Sequence, residues 1–146
     1  MKNLSERMFS PVAVLIQPTT MKFAPLIASI LLGGLFIMSS VVVLFNLAPM
    51  PELPKDTPIA YFMAAVGPTG FMKFVKVVEL IGGILLIIPK TRNLGLLCLG
   101  PVIVNIFAFH QLVAGDGIFQ PMLIGIAVLS FFLLWVERKA WSGLLK

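Results

Sequence analysis

The sequence predicts an all-α protein that crosses a membrane as an antiparallel four-helix bundle. Three observations lead there. Of 146 residues 59% are hydrophobic, only 12% are charged, and the apolar residues gather into four long runs separated by proline, glycine and charge. A small soluble domain leaves much of its surface in water, and 11 Lys and Arg with 6 Asp and Glu are too few to coat one. The same composition excludes a disordered tail and a disulfide-stapled secreted module. The net charge of +5 raises the question of nucleic acid. The basic residues are scattered singly, with no patch interleaved with aromatics, so the expected partner is the lipid bilayer and not nucleic acid.

The elements follow in order along a single domain, 1–146. The first nine residues carry Lys2 and Arg7, and the apolar run over 12–16 is far too short to cross anything. A cleavable secretory signal is therefore not expected, and the chain up to Thr20 is predicted to lie at the interface. The first span covers 23–48, long enough for a hydrocarbon core of about 30 Å with some tilt. Pro49, Pro51, Pro54 and Pro58 then deny the backbone the donors that a continuing helix needs. After Asp56-Thr57-Pro58, a cap and a first-turn proline, a short interfacial helix is predicted over 59–66. Gly67-Pro68-Thr69-Gly70 ends it.

The second span, 71–88, stops at Pro89-Lys90-Thr91-Arg92-Asn93, and the third, 94–113, at the tight turn Ala114-Gly115-Asp116-Gly117. The fourth, 118–136, has Pro121 in its first turn and ends at Glu137-Arg138-Lys139. Short links between four helices favour antiparallel neighbours. Lys2, Arg7, Lys22, Lys90, Arg92, Arg138, Lys139 and Lys146 flank the spans on one side, while Lys55 and Asp116 mark the other. This imbalance places both termini in the cytoplasm, with Trp135 and Trp141 in an aromatic belt on that face.

Ionisable groups inside hydrocarbon are costly and turn toward the bundle interior, which makes Lys73, Lys76, Glu79, Asn105 and His110 the candidate ligand-binding residues. Glu79 and Asn105 each lie eight positions from the outer end of their spans, roughly 12 Å deep at 1.5 Å per residue. Ser39 and Ser40 reach a similar level, and His110 stands nearer the rim with Lys73 and Lys76. Lys76, Glu79 and Gly83 share one stripe of the second helix. Glu79 with Asn105 admits two readings, a structural hydrogen-bonded clasp between helices or a ligand or proton site. His110, Lys73 and Lys76 have a plain reading too, as side chains reaching back to water.

The inventory leans away from catalysis and leaves the cofactor undetermined. Cys98 is the single cysteine and His110 the single histidine, so neither a dithiol centre nor bis-His haem ligation is possible within the chain. No cluster has metal-ligand spacing, and Gly33-Gly34 and Gly82-Gly83 lack a nucleotide-binding pattern. A triad of Ser39 or Ser40, His110 and Glu79 has nothing to orient it.

The string Phe71-Met-Lys-Phe-Val-Lys-Val-Val-Glu79-Leu-Ile-Gly-Gly-Ile-Leu-Leu-Ile-Ile-Pro89, then Leu99-Gly-Pro-Val-Ile-Val-Asn105-Ile-Phe-Ala-Phe-His110, resembles the DoxX family of small bacterial membrane proteins. The loop Ala48-Pro-Met-Pro-Glu-Leu-Pro54 is similar to that family as well. The resemblance implies a four-helix bundle in the bacterial cytoplasmic (inner) membrane and marks Glu79, Asn105 and His110 as the family's polar positions. It also implies a link to quinone-dependent redox metabolism and oxidative stress, so a quinone is the implied contact. Many relatives carry a polar or basic residue late in the first helix, where this chain has Val41-Val42-Val43. No enzymatic function is carried over.

Three functions compete. The leading expectation is a non-catalytic accessory subunit of a quinone-linked or oxidative-stress redox complex. The second is a membrane chaperone or assembly factor for a client membrane protein. The third is a small proton-coupled transporter, which with four spans and no internal repeat requires a homo-oligomer.

Overall fold

The computed structural model describes residues 20–49 and 52–144, and every regular element among them is helical. The expectations for the N-terminal interfacial segment and for Lys146 lie outside the described residues. The helices are α1 (Thr20–Leu44), α2 (Pro58–Val66), α3 (Phe71–Ile87), α4 (Arg92–Phe109), α5 (Pro121–Val136) and α6 (Arg138–Leu144). α4 continues without a break into a π-helical turn, His110–Ala114.

Helix ends depart from the hydropathy pattern where local geometry overrides it. The apolar run was expected to hold a helix over 23–48, but α1 stops at Leu44. Asn46 adopts a left-handed φ of 50°. Its N–H donates to Val43 O at 3.3 Å and that of Leu47 to Val42 O at 2.9 Å, the paired bonds of a Schellman cap. The start expected at 118 moves to Pro121. Gly117 turns the chain at φ 78°, and Gln120 is held extended by the proline that follows it. α2 begins as expected, with Pro58 in its first turn and Thr57 Oγ1 accepting from Ala60 N at 3.4 Å.

α1 packs most extensively against α3, and α3 against α4; α1 also meets α5, while α4 and α5 touch only sparsely. The α1–α3 crossing is a backbone contact. A Cβ placed on Gly33 would stand 2.7 Å from Gly83 O, and one on Gly83 would stand 2.8 Å from Gly33 O. Such close approach is how helices gain dispersion contacts where lipid gives no hydrophobic drive. The core between the helices is Leu32 and Phe36 of α1, Leu86 of α3, Leu96 and Leu99 of α4, and Leu123, Ile126 and Leu133 of α5. Ser29, Ser40 and Ser130 are buried too, each donating to the carbonyl four residues earlier at 2.6–2.7 Å.

The outside is as apolar as the inside. Leu31, Met38, Phe74, Ile81, Leu97, Val104, Val128 and Phe131 are all exposed. Two stretches, Phe23–Leu44 and Arg92–Ala114, are long and apolar enough to cross a membrane. Only 33% and 11% of their most apolar windows are buried, whereas the core helix of a soluble protein is mostly buried.

Arg92, expected as a cation of the second-to-third loop, is instead the first residue of α4 and is 7% exposed. Its Nη1 donates to Glu137 Oε1 at 2.9 Å, tying the start of α4 to the end of α5. Trp135 is exposed beneath the Arg138 guanidinium, 4.7 Å from the ring centroid. Trp141 turns inward against the core.

Candidate functional site

The polar residues singled out by depth are mostly brought together. A cavity of about 140 Å³ opens between α3 and α4 and is closed over by α2. Lys76, Glu79, Asn105 and His110 line it with Phe62, Met63, Phe109 and further apolar side chains. Lys73 does not line it and is exposed.

Glu79 is the most buried acid among the described residues, 3% exposed. Spacing three along α3 places Lys76 over it, and Nζ donates to Glu79 Oε2 at 2.7 Å. Burial of such a pair is tolerated because the partners stand within hydrogen-bond distance; either group alone would carry the full desolvation cost. Lys76 Nζ also donates to Ser39 Oγ of α1 at 3.0 Å. That contact depends on the glycine crossing nearly two turns further along, because two bulky helices could not bring a serine hydroxyl to the lysine tip.

Of the two readings of Glu79 with Asn105, the direct clasp is not the arrangement seen. No hydrogen bond joins them among the described residues, and Asn105 is exposed on the cavity wall. The interhelical polar tie runs from α3 to α1 instead. Glu79 satisfies its carboxylate on its own helix, which leaves the Asn105 amide free to meet something else.

His110 sits where α4 loosens into the π turn. Gly115 N donates to His110 O at 3.1 Å, five residues apart. Gly115 at φ 72° and Gly117 at φ 78° then reverse the chain, conformations that cost glycine little. Asp116 is thereby returned to His110, with Oδ1 2.9 Å from Nδ1. That hydrogen bond, helped by one from the Gln120 side chain, holds the Asp116 carboxyl below its usual range, against a smaller opposing effect of desolvation. The Phe109 ring packs edge-on against His110 at 5.8 Å and lies 5.3 Å from Phe62 of α2. The short helix is thus an aromatic wall of the cavity, a role that its length and composition did not reveal.

A larger cleft of about 380 Å³ lies along α4 and α5, lined by Leu96, Gly100, Ile103, Phe107, Phe131 and Leu134 among others. Its one hydroxyl, Ser130, is spent on Ile126 O, so it offers no polar recognition. The smaller cavity has the chemistry: a paired ammonium and carboxylate, an uncommitted amide, an imidazole and two aromatic rings. Its volume is close to the roughly 150 Å³ that accommodates a benzene molecule. No group of three or more His, Cys, Asp and Glu with metal-binding geometry occurs among the described residues.

No family model, curated protein or solved structure matches the chain.

Proposed function

We propose that the chain is a DoxX-like integral membrane protein, a four-helix bundle of the bacterial cytoplasmic membrane with both termini in the cytoplasm. It serves as a non-catalytic accessory subunit of a quinone-linked or oxidative-stress redox complex, and its cavity holds the quinone ring. The observation that carries this reading is the buried Lys76–Glu79 pair opening into a ring-sized cavity shared with Asn105 and His110.

The bundle reading is supported by α1, α3, α4 and α5 packing as neighbours around the core while presenting large apolar side chains outward. α3 has 17 residues and α5 has 16. At 1.5 Å per residue they span about 26 and 24 Å, near the lower limit for a crossing. The ligand reading is supported by chemistry. A quinone presents a flat ring and two carbonyl oxygens, which the aromatic walls and the Asn105 amide suit. On this reading electron transfer belongs to the partner.

The test is quinone-dependent oxygen consumption by membranes from a deletion strain carrying Glu79→Gln or Asn105→Ala. Asn105 is exposed, so its replacement leaves folding intact. Asn105→Ala should accumulate to the wild-type level, Glu79→Gln is compared per amount of folded protein because it breaks a buried ion pair, and both should lower the quinone-dependent rate several-fold. Unchanged respiration and oxidant sensitivity in both strains would reject the reading.

A further inference from the structure

We propose that Asp116 is a positioning residue for His110: it takes the Nδ1 proton as a hydrogen-bond acceptor and so leaves Nε2 as the acceptor for a ring hydroxyl in the cavity. This deepens the quinone reading above and rests on it. The cavity then selects the reduced, hydroxyl-bearing form of the ligand over the carbonyl form.

The argument starts from the two nitrogens of a neutral imidazole, of which one donates and the other accepts. A carboxylate can only accept, so a carboxylate 2.9 Å from Nδ1 assigns the proton to that nitrogen. His110 also lines the cavity, and Nε2 is the ring nitrogen left to serve it. A lone pair there attracts a hydroxyl hydrogen and repels a carbonyl oxygen. Of the other cavity groups Glu79 is likewise an acceptor, so the share of His110 is read from the change on replacing Asp116. Asn105 carries both a donor and an acceptor and suits either form. Lys76 is engaged with Glu79 and Ser39, and the α2 wall contributes Phe62 and Met63, which are uncharged.

The loop is built to hold this contact. Asp116 lies between two glycines of left-handed φ, six residues beyond His110, a separation that an α-helix would place on different faces. The carboxylate is 47% exposed, so its replacement leaves no buried hole.

His110 is the only histidine, so ring ¹⁵N shifts of histidine-labelled protein in nanodiscs report its tautomer directly. At a pH where the imidazole is neutral, the wild type should show the Nδ1–H form, Asp116→Ala should lose that preference, and Asp116→Glu should restore it. A wild type already in the Nε2–H form, or an Asp116→Ala spectrum like that of wild type, overturns the assignment without reference to any ligand. The second measurement is binding of a decyl-substituted benzoquinone and of its hydroquinone, handled anaerobically. Wild type and Asp116→Glu should favour the hydroquinone about fivefold more than Asp116→Ala does. If both forms bind but Asp116→Ala keeps the wild-type preference, this inference falls while the quinone reading stands. If neither form binds wild type, both fall.

Discussion

Lys76 of α3 donates a 3.0 Å hydrogen bond to Ser39 of α1, thirty-seven residues away, while the same ammonium holds Glu79 at 2.7 Å. One cation therefore links two helices and neutralises the acid at the cavity floor. Ser39→Ala should cost about 1 kcal/mol, the net worth of one hydrogen bond, since Lys76 keeps its carboxylate. Thermal unfolding in detergent micelles measures it.

Breaking the ion pair itself should be far more damaging. Glu79→Gln or Lys76→Met leaves one charge buried without its counter-ion, at a cost of about 3 kcal/mol. The double variant Lys76→Met with Glu79→Gln should recover most of that loss. Melting temperatures of the four proteins form a double-mutant cycle, and additive losses would show that the pair is not coupled.

Gly33→Ala and Gly83→Ala should each destabilise by about 1–3 kcal/mol, because the new Cβ meets a rigid carbonyl oxygen at 2.7–2.8 Å. Gly34→Ala, one residue along, has open space and should be neutral. Detergent-resistant folded fraction on heating separates the three.

Asp116 sets a pH dependence of definite sign. Its folded carboxyl titrates below the unfolded value of 3.8, so its stabilising effect is complete above that value and fades as the pH drops through the lower folded value. Wild type and Asp116→Ala should differ in melting temperature at pH 6 and converge as the pH falls through the lowered folded value. Convergence on raising the pH instead would contradict the assignment.

At the opposite end of the helices, Glu137→Gln leaves the Arg92 guanidinium buried without its counter-charge. The pair is partly open to solvent on the Glu137 side, so about 2 kcal/mol is expected. Arg92→Lys should not substitute well, since a lysine tip lacks the planar fork. Unfolding of both variants alongside wild type checks this.

Much of this architecture could be read from residue order. Proline, glycine and charge mark the helix breaks to within a few residues, and the spacing of three between Lys76 and Glu79 anticipates their ion pair. Depth places Asn105 and His110 near the same level as the pair, but their separation of about 140° around the helix axis leaves open whether they border one cavity, which the fold shows they do. What could not be read depends on how helices are rotated about their axes. Ser39 meets Lys76 only because Gly33 and Gly83 bring the backbones together. Arg92 and Glu137 are 45 residues apart, and nothing local joins them. Asp116 was legible as a turn residue, but its contact with His110 requires a π turn that hydropathy does not encode. Asn105 was legible as polar and deep, but not as unpaired with Glu79, because a residue's depth carries no information about its azimuth.

The π turn gives this chain an unusual sensitivity to length. It holds one residue more than an α-helical turn, and each residue of an α-helix advances the face by about 100°. Deleting a single codon within 111–114 would let α4 close as an ordinary helix with its hydrogen-bonding intact, and Asp116 would swing away from His110. A change of that kind leaves hydropathy, span length and charge balance almost untouched. Two chains that look alike by every compositional measure can therefore differ in whether their one imidazole is oriented, and the gap in their alignment, not a substitution, would mark the difference.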